Sequence, residues 1–493
     1  MPDFLQPLAS PLSFGLVALG AFLGITVGAI PGLTGAMLIA LTLPLTFSME
    51  PAHALLLLTS MYVGSVSGGL ITATLLRIPG TPASVMTTLD GYPMAKSGRP
   101  GRALGLGIGA SLVGGIISWL FLWSLAEPLA DLSTKLGPFD YFAMTLLALA
   151  LIAGVGGSSP AKGWLAGFLG MFCALPGAHP ATGEPRLTFG FVEMDAGFRL
   201  LPVLIGVFAL GKILCDLQEG DSDSIERIDG DDKPWLSLRE WKVHLGNLFR
   251  SSCIGSFIGA LPGVGANIGS LSAYSIAKRF SRKPEEFGKG SPEGIVASES
   301  ANNATVGGAL IPLVSLGIPG SVIDAILLGA LLIHGLQPGP LLFRQNPEAV
   351  HAILGAALVA NILTFCFMTL GAKRVARLAK VSPNVLIPVT LVFCILGSFA
   401  LNNRWFDVWT MLGFGVIGFL MEKGHLPLAA FVIGFVLAPL AEKNLCSGLG
   451  ASGGSYLELF TRPISLVFLL LAITLVLLPL RGRKPRDSSH CSP

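Results

Sequence analysis

Runs of about twenty apolar residues recur along this chain, and they restrict its fold more than any other feature. A helix crossing a hydrocarbon layer ~30 Å thick needs about 20 such residues. Segments near 52–76, 103–126, 136–154, 163–180, 198–216, 295–317, 349–372, 384–401, 405–421, 425–440 and 463–480 qualify. Three further apolar stretches, 13–47, 251–277 and 319–343, are interrupted by Pro-Gly. Only 12% of the 493 residues are charged, about half of what soluble domains carry. The net charge of +3 is too small to suggest a polyanion-binding face. An ordinary soluble enzyme and a nucleic-acid binder are both excluded. Backbone polar groups in lipid must pair within the segment, which favours helices. The sequence therefore predicts an all-α polytopic membrane protein of roughly 11–14 apolar segments.

The seven cysteines stand singly, with neither metal-like nor disulfide spacing. No basic residue precedes Arg77, so a signal-peptide n-region is not expected and the N-terminus is placed outside. One polar insert, 217–250, divides the chain. The expected layout is a first transmembrane half at 1–216, a cytoplasmic linker at 217–250, a second half at 251–480 and a basic tail at 481–493. Cytoplasmic loops are rich in Lys and Arg. Lys96/Arg99/Arg102, Lys278/Arg279/Arg282/Lys283/Lys289, Lys373/Arg374/Arg377/Lys380 and Arg481/Arg483/Lys484/Arg486 mark that side and put the C-terminus there.

The two halves share a pattern. Gly24-x-x-x-Gly28-Ala-Ile-Pro31-Gly32 corresponds to Gly255-x-x-x-Gly259-Ala-Leu-Pro262-Gly263 at an offset of 231. Gly68-Gly-Leu-Ile71 with Ile78-Pro79-Gly80-Thr81 corresponds to Gly308-Ala-Leu-Ile311 with Ile318-Pro319-Gly320-Ser321 at an offset of 240. After the first motif, residues 42–58 hold no Lys or Arg, whereas 278–289 hold five. After the second the bias reverses: three basic residues at 96–102, none across 321–343. Equivalent loops on opposite sides are what two inverted-topology repeats predict, and such folds are mostly secondary transporters.

In transporters of that kind, broken or re-entrant helices aim their N-termini at anionic substrate near the midplane. Four Pro-Gly breaks stand at corresponding places: Pro31-Gly32, Pro79-Gly80, Pro262-Gly263 and Pro319-Gly320. A single one would be read as a kink; four placed symmetrically point to a site. Thr34, Thr81, Ser84, Asn267, Ser270 and Ser321 follow the breaks and supply donors, and freed carbonyls could hold a cation. Ionisable residues inside a membrane are functional candidates by default. Glu299 is the foremost, against the alternative of a helix-end acid facing the basic 278–289 loop. Asp324 is a second candidate, or simply an acid favouring a helix N-terminus. Asn302-Asn303 needs polar partners in an apolar half. Asp90 reads as a turn former, and Arg77 as a cytoplasmic anchor in preference to a substrate counter-charge. No nucleotide-binding G-x-x-x-x-G-K-[ST] loop and no H-E-x-x-H occurs. Gly450-Ala-Ser452-Gly-Gly-Ser455 has the outline of a serine nucleophile turn without a His/Asp partner. A channel and, far behind, an intramembrane hydrolase at Ser452 are the rival classes.

At these residues the chain resembles the large membrane subunit of the tripartite tricarboxylate transporters, the TctA family. The likeness rests on Arg77-Ile-Pro-Gly-Thr-Pro-Ala-Ser84, Leu89-Asp-Gly-Tyr-Pro-Met-Ala95, Gly101-Arg-Ala-Leu-Gly105, Leu261-Pro-Gly-Val-Gly-Ala266 and Pro284-Glu-Glu-Phe-Gly-Lys-Gly290. It continues through Glu299-Ser-Ala-Asn-Asn303, Gly317-Ile-Pro-Gly320 and Leu331-Leu-Ile-His-Gly-Leu-Gln-Pro-Gly-Pro340. Ser298 stands where the family has proline. The resemblance spans about Gly15 to Leu480. It implies a bacterial inner-membrane importer, with a periplasmic solute-binding protein that captures a tricarboxylate or other organic carboxylate such as citrate. A small membrane subunit of about four spans completes it. A Na+ or H+ gradient would drive uptake with no other cofactor, by an elevator-like motion of the broken-helix hairpins. Pro31, Gly32, Thr34, Pro79, Gly80, Thr81, Ser84, Pro262, Gly263, Asn267, Asn302, Asn303, Pro319, Gly320 and Ser321 are expected around the carboxylate, with Glu299 and Asp324 for coupling.

Overall fold

The structure, a computed structural model, describes residues 3–30, 33–155, 159–219, 238–262, 265–375, 383–400 and 402–481. The described residues are helical apart from turns and one two-residue antiparallel strand pair, β1 (Gly177–Ala178) with β2 (Pro185–Arg186). In the first half the helices are α1 (Pro11–Gly28), α2 (Gly35–Thr46), α3 (Pro51–Leu75), α4 (Val85–Lys96) and α5 (Pro100–Ser133). They are followed by α6 (Pro138–Val155), α7 (Pro160–Cys173), α8 (Leu200–Leu204) and α9 (Gly211–Glu219), the last two joined by a π-helical turn at Ile205–Leu210. The second half contains α10 (Leu238–Gly259), α11 (Gly265–Phe280), α12 (Pro292–Leu316), α13 (Val322–Ile333), α14 (Pro340–Gln345) and α15 (Pro347–Val375). It ends with α16 (Pro383–Ala400), α17 (Trp405–Lys423), α18 (Leu428–Ala451), α19 (Leu457–Thr461) and α20 (Pro463–Arg481). The stretch read as a linker is therefore helical from Leu238, while 220–237 and the tail from 482 lie outside the described residues.

Among the described residues, seven helices are long and apolar enough to cross a membrane: α1, α3, α5, Leu200–Gln218, Pro347–Ala372, α17 and α18. This is a multi-pass membrane protein. Shorter apolar helices accompany them. Two of these, α2 and α13, have 12 residues each, so they reach ~18 Å, little more than half a bilayer. Proline fits the first helical turn, where its missing N–H is no loss. It opens α1, α3, α5, α7 and α12.

At the centre stand α3 and α12. Both are 25 residues long, and both are buried from about their second turn to the end. Their polarity is that of residues with interior partners, not of a lipid face: α12 alone carries Ser298, Glu299, Ser300, Asn302 and Asn303, all buried. Helix α1 packs on α3 and α10 packs on α12. The approach is backbone to backbone: a Cβ on Gly28 would strike the Ser65 carbonyl, and one on Gly259 the Thr305 carbonyl. Around this centre lie α5 and α15, and beyond them α6, α7, α18 and α20 pack on one another.

The two ends of the molecule differ in charge. At one end Asp90 of α4 holds the loop before α12, bringing the basic loops after α4 and α11 side by side. At the other, Thr46 at the end of α2 meets His334 at the end of α13 (3.4 Å). Residues 42–58 and 321–343, which meet there, contain no Lys or Arg.

Candidate functional site

The breaks are built from local rules. After α3 the chain turns at Arg77, in the left-handed region (φ 59°), and Ile78 N–H donates to the Thr72 carbonyl (3.3 Å). After α12 the same turn is made at Gly317 (φ 71°), with Ile318 N–H donating to the Pro312 carbonyl (3.2 Å). These are helix ends in which a left-handed residue lets the chain fold back onto the last carbonyls. Pro-Gly follows each, and then Thr81 or Ser321 starts a new segment. Ser321 caps α13 by accepting from Asp324 N–H (3.3 Å), and Thr34 caps α2 by accepting from Met37 N–H (3.2 Å). Ser84 binds the first break to itself: its Oγ accepts from Thr81 N–H (3.1 Å) and donates to the Thr81 carbonyl (2.8 Å). Glycine is obligatory where the breaks cross the helices: a Cβ on Gly80 would collide with the Gly28 carbonyl, and one on Gly320 would lie 2.8 Å from the Gly259 carbonyl.

Between these segments lies a cavity of about 540 Å³, a size suited to a small molecule. Of the residues singled out from the sequence, Thr34, Pro79, Gly80, Thr81, Asn267, Asn302 and Ser321 line it. Ser84, Asn303, Pro262, Pro319, Gly320, Glu299 and Asp324 do not line it. Pro31, Gly32 and Gly263 lie outside the described residues. Helices α3 and α12 face the cavity with residues at the same offset of 240: Tyr62 and Ser65 from one, Asn302 and Thr305 from the other. Thr81 and Ser321 keep that offset.

Several polar atoms here have no partner of hydrogen-bond geometry, although buried polar groups are normally satisfied. They are Thr81 Oγ1, both side-chain atoms of Asn302, and both carboxylate oxygens of Asp324. Asp324 is fully buried behind Ser321, with Tyr62 as its other polar neighbour. The Tyr62 hydroxyl in turn meets Ser321 Oγ (3.2 Å).

Glu299 occupies a different place. It lies mid-helix in α12, not at a helix end facing the basic loop, and its oxygens accept from Thr87 Oγ1 of α4 (2.5 Å) and Ser111 Oγ of α5 (3.3 Å). Asn303 extends this network, donating to Ser111 Oγ (2.8 Å) and accepting from Ser67 Oγ of α3 (2.6 Å). The fully buried Glu299 carboxylate thus joins α12 to α4 and α5, and Asn303 adds α3, so that four helices from both halves meet in one network. Asp90 is helical, not a turn former. Its Oδ1 accepts from the N–H groups of Gly288 (2.8 Å), Gly290 (2.9 Å) and Ser291 (2.8 Å), and its Oδ2 from the Tyr274 hydroxyl (2.8 Å). Arg77 lies outside the cavity with its guanidinium over the Tyr92 ring (5.7 Å). Ser452 Oγ donates to the Ser455 carbonyl (2.7 Å), with the Leu449 carbonyl also near it (3.3 Å), as a helix-end residue does.

The sequence reading missed Tyr62, Ser65, Thr305, Lys212 and Glu422 on the cavity wall. Ser65 and Thr305 could have been found from the repeat offset. Lys212 could have been found because a lysine inside the apolar run 198–216 is itself a signal. Among the described residues no group of three or more His, Cys, Asp or Glu is arranged to hold a metal ion.

Residues 14–433 match the family profile described as "Tripartite tricarboxylate transporter TctA family". The chain belongs to the TctA family. A protein of Agrobacterium vitis described as "Uncharacterized 52.8 kDa protein in TAR-I ttuC' 3'region" is 32% identical over 471 residues, covering 96% of this chain and 94% of that one. A second from the same organism, "Uncharacterized protein in TAR-II ttuC' 3'region", is 32% identical over 226 residues, covering 46% of this chain and 93% of its own length. No solved structure gives a significant match. Membership makes this chain a membrane component of a tripartite transport system, which has other subunits, and not an enzyme.

Proposed function

We propose that this TctA protein forms the transmembrane pathway of a secondary active, binding-protein-dependent importer. Its cargo is a tricarboxylate or another organic carboxylate, and a Na+ or H+ gradient drives it. The observation that carries the reading is the set of buried polar atoms at Thr81, Asn302 and Asp324 that lack a partner of full hydrogen-bond geometry, gathered beside a cavity between segments that start at helix breaks. Hydroxyl and amide donors at helix N-termini suit a carboxylate. Asp324, buried with Ser321 and Tyr62 as its polar neighbours, suits the coupling cation or proton, while Glu299 couples the halves through the network it forms with Asn303.

The two halves are read as inverted repeats. The shared element order of α1–α3 and α10–α12, the matched breaks and the paired cavity residues support this. So does the meeting of the basic loops after α4 and α11 at one end, away from the Lys- and Arg-free loops at the other. On that reading the basic end and the C-terminus are cytoplasmic, in a bacterial inner membrane. The halves are 1–216 and 251–480 about the polar stretch 217–250, with α10 carrying the second half back to Leu238, and the tail is 481–493. A periplasmic solute-binding protein and a small membrane subunit of about four spans are the partners.

The test is uptake of radiolabelled citrate, and then other carboxylates, into proteoliposomes holding the three components, with Na+ and H+ gradients imposed separately. Accumulation should follow one gradient and collapse in Asn302→Ala. Equilibration indifferent to both gradients indicates a channel and ends the proposal.

A further inference from the structure

Building on the carboxylate-transport reading, we propose that Lys212 is the cationic counter-charge of the substrate site. When the cavity fills, it exchanges its own partner Asp216 for a substrate carboxylate.

The donors on the broken helices are all neutral: Thr34, Thr81, Asn267, Asn302 and Ser321. A carboxylate brought into a membrane interior needs compensation by charge, or its desolvation is prohibitive. Among the described residues lining the cavity, Lys212 is the sole cation and Glu422 the sole anion. Lys212 belongs to a helix apolar enough to span the membrane, Leu200–Gln218, where an ionisable group is costly unless it has a task.

The local backbone is built to hold it at this wall. Ile205–Leu210 is a π-helical turn, with Gly211 N–H reaching back to the Gly206 carbonyl. Such a turn inserts a residue, rotates the side chains that follow and is frequent at functional sites. Helix α17 fixes the turn from outside. A Cβ on Gly206 would strike the Met411 carbonyl, and one on Gly418 would lie 2.6 Å from the Val207 carbonyl.

Lys212 Nζ lies 2.9 Å from Asp216 Oδ1, one helical turn on, and both side chains are partly exposed. Lysine four residues before an acid is the weaker order for a helical pair, and exposure weakens it further. The pair leaves no uncompensated cation at the cavity wall, yet it can be broken by an incoming carboxylate. Glu422, held near Cys215 (3.5 Å to Sγ), adds negative charge beside the site and favours release of the anion once bound.

The test uses the full reconstituted system and whichever of citrate, succinate or acetate the wild-type chain accumulates fastest. Lys212→Cys should reduce accumulation below a tenth of wild type. A 2-aminoethyl thiosulfonate, which rebuilds a lysine-like cation on the cysteine, should restore at least a third. Neutral methyl and anionic sulfonatoethyl reagents should restore nothing. Wild-type chain treated identically sets the background from native cysteines. Asp216→Asn should keep or raise the rate at low substrate, and thermal unfolding in detergent shows that each variant is folded. Equal rescue by the neutral and cationic reagents, or a Lys212→Gln variant at wild-type rate while Asn302→Ala fails, overturns the role of Lys212 and leaves the transport reading standing. A wild-type chain that accumulates none of the three substrates overturns the transport reading for them, and this inference with it.

Discussion

Replacing Asp90 by alanine removes the acceptor for four hydrogen bonds at once. Three come from backbone N–H groups of Gly288, Gly290 and Ser291, and one from the Tyr274 hydroxyl. Ser291 and Tyr274 are buried, so their donors are left without any partner, at about 1–3 kcal/mol each. Gly288 is exposed and Gly290 partly so; their N–H groups can turn to water, and each loses only the net worth of a bond to a charged acceptor, about 1.5 kcal/mol. The total is about 5–9 kcal/mol, concentrated on the loop between α11 and α12. Asp90→Asn keeps a carbonyl oxygen for the three N–H groups and gives up only the charge, for about 1–2 kcal/mol. Tyr274→Phe removes a single bond, at a similar cost. Since every 1.4 kcal/mol is tenfold in population, the open form of the loop should rise by more than about a thousandfold in Asp90→Ala and about tenfold in the other two. Arg282 and Lys289, each followed by a residue other than proline, stand in this loop, so the initial rate of tryptic cleavage there reports its opening. Cleavage of Asp90→Ala within threefold of wild type would refute the reasoning. Equal rates for Asp90→Asn and Asp90→Ala would show that the charge, not the acceptor geometry, holds the loop.

Three further outcomes follow from the same structure. Gly320→Ala places a methyl 2.8 Å from the Gly259 carbonyl and should destabilise by about 1–3 kcal/mol, read as a lowered apparent unfolding temperature; an unchanged temperature would mean that the break does not pack on α10 as described. Arg77→Gly relieves a left-handed residue where the corresponding turn uses Gly317, so apparent stability should rise by about 1 kcal/mol, less about 0.5 kcal/mol for the contact with Tyr92; a fall would show that the guanidinium holds more than that ring. Asp324→Asn should abolish accumulation against a gradient while leaving substrate exchange at equilibrium, and gradient-driven uptake at wild-type level would remove Asp324 from coupling.

Much of the architecture was legible because its causes are local. Proline removes a donor and glycine permits close approach, so the breaks at Pro79-Gly80 and Pro319-Gly320 could be located and matched across the halves. The membrane class follows from apolar runs alone. What escaped depends on partners far away in sequence. Leu89-Asp-Gly-Tyr-Pro has the composition of a turn, yet α4 runs through it, because the Asp90 carboxylate is satisfied by a loop 200 residues on. Asn302 and Asn303 were expected to act together, but consecutive helical residues point ~100° apart. Accordingly Asn302 faces the cavity while Asn303 turns to α3 and α5. Lys212 was not singled out, although a lysine inside the apolar run 198–216 is itself the signal.

The central claim is that a carboxylate occupies the cavity between the broken helices, and Ser321→Cys tests it most directly. The cysteine would be labelled in intact membranes by an impermeant thiol reagent, with and without citrate, succinate or acetate, and wild-type chain would set the background. The account predicts labelling that a transported carboxylate slows at least fivefold and that a non-transported anion such as sulfate leaves unchanged. Labelling at one rate under all conditions, in a variant whose unfolding temperature matches wild type, would contradict it.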